Sequence, residues 1–442
     1  MVQRSLRERG ADLGAPAARA PAAGRCSPHA GRGRHGPSPA AGALRQRERA
    51  ARAPRRRRRG ANRVHADWDP CAGPRAARCA SSLPELPAGL TPPRQLAELL
   101  LSLINIPSVS REEQEVTGWI AQQVAAKDGL QVVHRQADAI VFGLGGRPDV
   151  VLAGHSDTVP EQGNLPGRIE AGEVLGLGAA DMKGALAVML ALAAELAAGT
   201  ERRLNPLFVI FGREEVALAE SVLSGLFRSC PAILAAQLAL VMEPTANQLQ
   251  AGCLGNIMAE LTFAGVAAHS ARPWLGRNAI HEAVRGLRRL AELEPHEVVL
   301  DGLEFREVVS VTEIRGGVAG NVVPDSCVAG LNFRFAGDRT PAEAEARLRE
   351  LVGPAGELTI SSNAPGAPVN LANPLLQRLR DTRGLALEPK QAWTPVAEFA
   401  AQGVDAINFG PGDPDFAHRR DERVSIEALG TSLSILREYI CG

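Results

Sequence analysis

Three observations predict an α/β protein whose main domain, with a mixed, largely parallel sheet, carries an inserted α+β unit. Apolar strands alternate with helices from about residue 92, the element order then changes to β-α-β-β-α-β, and the first style returns near residue 367. The expected parts are a disordered Arg/Ala/Pro-rich leader at 1–85, a main domain at 86–255 and 367–442, and a ferredoxin-like insertion at 256–366.

The leader explains the overall charge. The 442 residues sum to zero, yet residues 1–80 hold 19 Arg, no Lys and five acids, a net of +14, leaving −14 on the remainder. Such a composition has too little apolar surface to offset its chain entropy, so disorder is expected. It has no apolar stretch for a secretory signal and few Ser residues for a transit peptide. The Arg55 to Arg59 run could serve a nucleic-acid arm, but a functionless or untranslated leader is the favoured expectation. N-terminal sequencing of the native protein tests it.

Residues 95–106 and 112–127 have helical periodicity, and Ser110 with Glu113 has the spacing of a capping box. Residues 149–153, 206–211 and 237–242 are short apolar runs that read as buried strands, with a helix at 184–198 between the first two. In the insertion, strands are expected at 256–263, 308–315, 327–335 and 357–361, and helices at 278–293 and 341–352. A strand at 406–409 and a helix at 426–440 close the chain.

Other classes are set aside. The apolar stretch 185–198 is short and contains Glu195, so a buried helix is expected and no membrane span. Seven Cys, an odd number at irregular spacings, form no disulfide framework, and a reducing cytoplasm is the expected compartment. Cys71 and Cys79 are too isolated for a zinc knuckle. Gly143-Leu144-Gly145-Gly146 is followed by Pro148 and opens no helix, so it is not a dinucleotide loop.

Chemistry gathers where strands end. His155 and Asp157 follow one apolar run, Glu214 and Glu215 a second, and Glu243, pinned by Pro244, a third. Asp181 sits in a Gly-rich turn before the 184–198 helix, where a plain N-cap is the ordinary alternative. His418 adds an imidazole on a late loop. Two His and several carboxylates at the edge where open α/β sheets bind ligands suit Zn²⁺, Co²⁺ or Mn²⁺. Adjacent acids can also divide labour between holding a cation and moving a proton.

The segments Gly154-His155-Ser156-Asp157-Thr158-Val159-Pro160, Ala180-Asp181-Met182-Lys183-Gly184, Glu214-Glu215, Met242-Glu243-Pro244 and Ala268-His269-Ser270 occur in that order. In this set the chain resembles the di-zinc family of aminoacylases, carboxypeptidases and N-acyl-amino-acid deacylases, over roughly residues 92–441. The resemblance implies a zinc-peptidase-like main domain and a dimerisation role for the insertion. It also implies two Zn²⁺, with Co²⁺ or Mn²⁺ as substitutes. His155, Asp181 and Glu243 would hold one ion, and Asp181 would bridge to a second completed by Glu215 and His418. Asp157 would orient His155, and Glu214 would act as general base and then acid. His269 would stabilise the oxyanion from the partner subunit of a homodimer.

Residues 268–281, 315–324 and 408–421 resemble the branch of that family that removes succinyl from a diamino acid. Asn321 and Arg334 resemble residues that bind substrate carboxylates, and Arg272 and Lys183 are further cations available near the site. Two departures stand out: Pro395 replaces the usual Asp of a Thr-Asp pair, and Val216 to Ala219 lacks a Gly common in the family. The rival readings are acetylornithine deacetylase or another N-acyl-amino-acid deacylase, and a catalytically silent binding protein. No nucleic acid or membrane partner is expected.

Overall fold

A computed structural model describes Leu86 and residues 90–442, so the expectations for the leader fall outside the described residues. Its larger sheet has eight strands, in the order Gln131–Gln136, Ala139–Gly143, Pro206–Phe211, Val150–His155, Leu238–Val241, Ala406–Asn408, Leu249–Ala251 and Leu387–Pro389. Val150–His155 runs parallel to both its neighbours, and Leu238–Val241 runs parallel to Ala406–Asn408. The Gln131–Gly143 hairpin is antiparallel, which makes the sheet mixed.

The continuous apolar runs have a direct cause, because this sheet is covered on both faces. Leu152, Phe208, Ile210 and Leu240 join a core with the helices Pro93–Ile104, Gly184–Ala197 and Ile426–Cys441. Val151, Ala153, Val209, Phe211 and Val241 turn to the other face, against Val222–Ser229 and Val396–Ala401. The helix Gly184–Ala197 is buried along nearly its whole circumference, Glu195 included. That acid is tolerated because Arg437 holds it through two hydrogen bonds of 2.8 Å and Thr91 N–H donates to it.

The second sheet has five antiparallel strands in the order His296–Leu300, Leu303–Gly316, Ser326–Phe335, Gly255–Ala264 and Glu357–Ala364. Ala279–Ala291 and Pro341–Val352 supply its helical layer, giving the expected ferredoxin-like order with one additional edge strand, His296–Leu300. Along Ser326–Phe335 buried and half-buried residues alternate, as a one-faced core requires. The helix Pro341–Val352 opens with a full capping box between Thr340 and Glu343.

The other expected capping box does not form. The helix begins at Gln114, and no side chain caps it. Ser110 instead donates to Asp157 at 2.7 Å, while buried Glu113 accepts from the N–H groups of Arg111 and Arg213. Tertiary partners outcompete the local cap. The Gly143–Gly146 stretch ends a strand and turns through positive φ at Gly145 and Gly146.

Candidate active site

His155 ends its strand with the ring buried, and its N–H donates to the Met182 sulfur. One ring nitrogen, Nδ1, lies 3.0 Å from the Asp157 carbonyl oxygen; the other, Nε2, lies 3.0 Å from Asp181 Oδ1. The Asp157 carboxylate is therefore not the ring's nearest partner: its Oδ1 stands 3.5 Å from Nδ1. That carboxylate accepts instead from Glu214 N–H and Glu215 N–H, both at 3.1 Å, and from the Ser110 hydroxyl. Asp157 thus supports the adjacent acids from beneath as well as lying beside the histidine.

Asp181 is not an N-cap. It has extended backbone before the helix starts at Gly184, and its carboxylate faces both histidines. Its Oδ2 is 3.5 Å from His418 Nε2, and that nitrogen is 2.8 Å from Glu215 Oε1. His418 adopts a left-handed φ of 60°, with Gln162 Nε2 donating to its carbonyl at 3.0 Å. Glu243 Oε1 is buried without a hydrogen-bond partner, 4.0 Å from His155 Nε2.

Three overlapping groups have ligand atoms within 4.8 Å of one another: His155, Asp181 and Glu243; Asp181, Glu215 and His418; and His155, Glu214 and Glu215. Asp181 belongs to the first two. An orphaned buried carboxylate oxygen and an all-nitrogen-and-oxygen donor set fit a hard or borderline divalent cation.

The electrostatics follow from acids and imidazoles crowded together out of water. Burial, with Asp181 beside it, pushes Glu243 up to about 7. Burial and Glu243 push Glu214 well above the usual carboxylate range. The Glu215 hydrogen bond lifts His418 to about 9. Burial opposes charge on His155, yet its bonds to Asp157 and Asp181 raise it well above an ordinary imidazole.

The sheet explains this convergence. His155, Glu214, Glu215 and Glu243 leave the carboxyl ends of three adjacent parallel strands. The loop carrying His418 must pass close by, and Gly410 and Gly412 permit it. A Cβ on Gly410 would lie 2.5 Å from the carbonyl oxygens of Met242 and Glu243, and one on Gly412 would lie 2.2 Å from that of Ala180.

Residues expected to touch substrate are placed differently. His269 is exposed on a two-residue strand paired with Val322–Val323, and its Nδ1 accepts from Ala271 N–H. Arg272 and Asn321 are exposed in the same unit, where the Asn321 carbonyl accepts from Ser270 N–H. Arg334 lines a cavity of about 320 Å³ with Leu254, Glu304, Arg306, Val308 and Gln391, and burial lowers its guanidinium pKa.

Lys183 corrects an expectation. It is buried, donates to the carbonyls of Leu103 and Ile106, and is pushed by burial to about 7, so it is not available to substrate.

Two residues escaped the sequence reading. Lys390 is buried and donates to the Pro244 carbonyl, placing its charge near Glu243 and Asp181. Glu422 is buried and accepts three N–H bonds from the Asp181 loop. Its spacing of four from His418 was the one available signal.

The family profile described as peptidase family M20/M25/M40 matches residues 151–441. A Corynebacterium glutamicum protein named succinyl-diaminopimelate desuccinylase is 39% identical over 348 residues, covering 76% of this chain and 94% of that one. A Mycobacterium tuberculosis protein provisionally given the same name is 40% identical over 349 residues, covering 78% and 98%. Among solved structures, a Staphylococcus aureus tripeptidase aligns with a TM-score of 0.66 at 20% identity, covering 80% of this chain and 99% of its own.

Proposed function

The chain belongs to peptidase family M20/M25/M40, and from that membership we propose a metal-dependent amidohydrolase acting on N-succinyl-LL-2,6-diaminopimelate, with succinate and LL-2,6-diaminopimelate as products. One observation carries the catalytic part: two three-donor groups share Asp181, with Glu214 beside them. The 39–40% identity to proteins named for this reaction supports the substrate.

His155, Asp181 and Glu243 would hold one Zn²⁺, and Asp181, Glu215 and His418 a second, with Co²⁺ or Mn²⁺ as substitutes. When bound, the ions supply Lewis acidity and make water a nucleophile near neutral pH. Glu214 takes the water's proton and returns it to the leaving amine. Its burial among carboxylates suits that work, because it raises the group's affinity for a proton. Asp157 fixes the Glu214–Glu215 peptide groups and flanks His155, so both acids keep their positions as charge shifts.

The protein acts as a homodimer in this reading, with His269 serving the partner's site. Because Nδ1 accepts from Ala271, the neutral ring carries its proton on Nε2 and offers that N–H to an oxyanion. Arg334, Asn321 and Arg272 bind the substrate's carboxylates, Arg334 from a half-buried position that strengthens its pairing with an anion. Residues 86–255 and 367–442 form the catalytic domain and 256–366 the dimerisation domain. No helix among the described residues is long and apolar enough to cross a membrane, and a cytoplasmic site of action fits a biosynthetic amide hydrolysis.

The test is an assay of purified, zinc-loaded protein against N-succinyl-diaminopimelate, N-acetylornithine and simple acyl amino acids, with metal content measured. Preference for either of the last two would replace the substrate, and metal-independent turnover would overturn the mechanism.

A further inference from the structure

We propose that Glu422 is a positioning residue that locks the Asp181 and His418 loops into one metal-binding body. The inference rests on the two-ion reading above, and nothing in that reaction requires Glu422 to touch substrate.

The side chain is only 2% exposed, and the hydrogen bonds it accepts come from peptide groups. Oε2 accepts Gly178 N–H, and Oε1 accepts both Ala180 N–H and Asp181 N–H, each at 3.0 Å. Three N–H groups from one short segment converging on a carboxylate form a nest, a strong way for backbone to bind an anion. The nearby cation does not compete for this carboxylate by hydrogen bonding, because Lys183 Nζ donates to Leu103 and Ile106. The main chain reinforces the link: Gly176 N–H donates to the Glu422 carbonyl, and Arg423 pairs with Leu175 across a short ladder.

Position gives these bonds their consequence. Asp181 N–H is one of the three donors, and Asp181 carries the carboxylate common to two candidate ligand groups. Four residues before Glu422 stands His418, whose Nε2 faces Asp181 Oδ2 at 3.5 Å. Two segments more than 230 positions apart in sequence are thus tied within one residue of the first ligand and four of the second. Without the carboxylate, the Gly178–Asp181 turn loses its side-chain tie to the His418 turn, and only the main-chain ladder at Leu175 and Arg423 still joins them. An ion held by Asp181, Glu215 and His418 would then lose most, since both loops contribute to it, whereas His155 ends one strand and Glu243 follows another.

Chelator-stripped full-length protein is titrated with Co²⁺, followed by visible absorbance and calorimetry, for wild type, Glu422→Gln and Glu422→Ala. Glu195→Gln serves as a destabilised control remote from the metal loops. The weaker Co²⁺ step should lose roughly 10–100-fold in affinity in Glu422→Ala, as removal of groups that orient metal ligands does elsewhere. Glu422→Gln should fall between, because one amide oxygen can still serve Ala180 and Asp181. The control should melt lower while keeping both Co²⁺ steps.

Two Co²⁺ steps of wild-type affinity in the Glu422 variants overturn the clamp while leaving the two-ion site standing. If Glu422→Ala does not fold, Glu422→Gln decides alone by the same criterion. Wild-type protein that binds fewer than two Co²⁺ overturns the two-ion reading, and the clamp with it.

Discussion

Asp157→Asn tests whether the Glu214–Glu215 pair depends on the carboxylate beneath it. In the native site Oδ1 accepts Glu214 N–H, and Oδ2 accepts both Glu215 N–H and the Ser110 hydroxyl. An amide of the same shape offers one acceptor oxygen and one NH₂. Its oxygen can serve one peptide N–H, while the other meets a donor. Ser110 adapts, because a hydroxyl can turn and accept. One buried peptide donor is therefore left without a partner, at about 1–3 kcal/mol.

With an unfolding entropy of about 2.1 cal/mol/K per residue over the roughly 350 described residues, that corresponds to a Tm lower by about 1–4 °C. Turnover should fall further than stability suggests, by about 100-fold, because a shift of about 1 Å in a proton-moving group is costly. Thermal melts and kcat at saturating metal measure the two effects, with Ser110→Ala as a control that removes the hydroxyl and leaves both peptide bonds. A variant that melts lower as expected yet turns over within twofold of wild type would refute the argument.

Glu214→Gln should keep its metal and lose roughly 10²–10⁴-fold in kcat, as loss of a general base does; near-normal turnover would exclude the role. His269→Ala should retain metal while kcat drops by about 10²–10³-fold, and a change in KM alone would count against an oxyanion contact. Mixing these two variants tests the partner contribution: if His269 acts across a dimer, random subunit exchange restores about a quarter of wild-type activity, and if it acts within one chain, none returns. Stripping the metal should lower Tm, since a ligand at 100 times its Kd stabilises the folded state by about 2.7 kcal/mol. A melt that chelation does not move would argue that these carboxylates hold no ion.

Much of this architecture was legible because burial on both faces of the large sheet writes itself as uninterrupted apolar runs. Pro206–Phe211 and the capped helix Pro341–Val352 could be bounded to the residue for that kind of local reason. Short ladders were not legible. Leu249–Ala251 and Leu387–Pro389 have three residues each, too few to set a period, and Gln131–Gln136 is largely exposed. The acids and histidines at the strand ends stood out by position, and the structure gathers His155, Asp181, Glu214, Glu215, Glu243 and His418 into overlapping groups. Ser110, Lys183 and Glu422 were misread or missed for one reason. Their partners lie 47 to 244 positions away, and local pattern carries no trace of such pairings.

The buried Lys183 also limits where the polypeptide can be shortened. Its ammonium is bound by carbonyls at the C-terminal end of the helix Pro93–Ile104 and just beyond it. Removing that helix would expose more than an apolar face. It would leave the buried Lys183 amine without its two acceptors, two residues from Asp181, in a place where water cannot easily follow. The smallest chain that still folds around the site is therefore set from inside, by one lysine, and it must keep the carbonyls of Leu103 and Ile106.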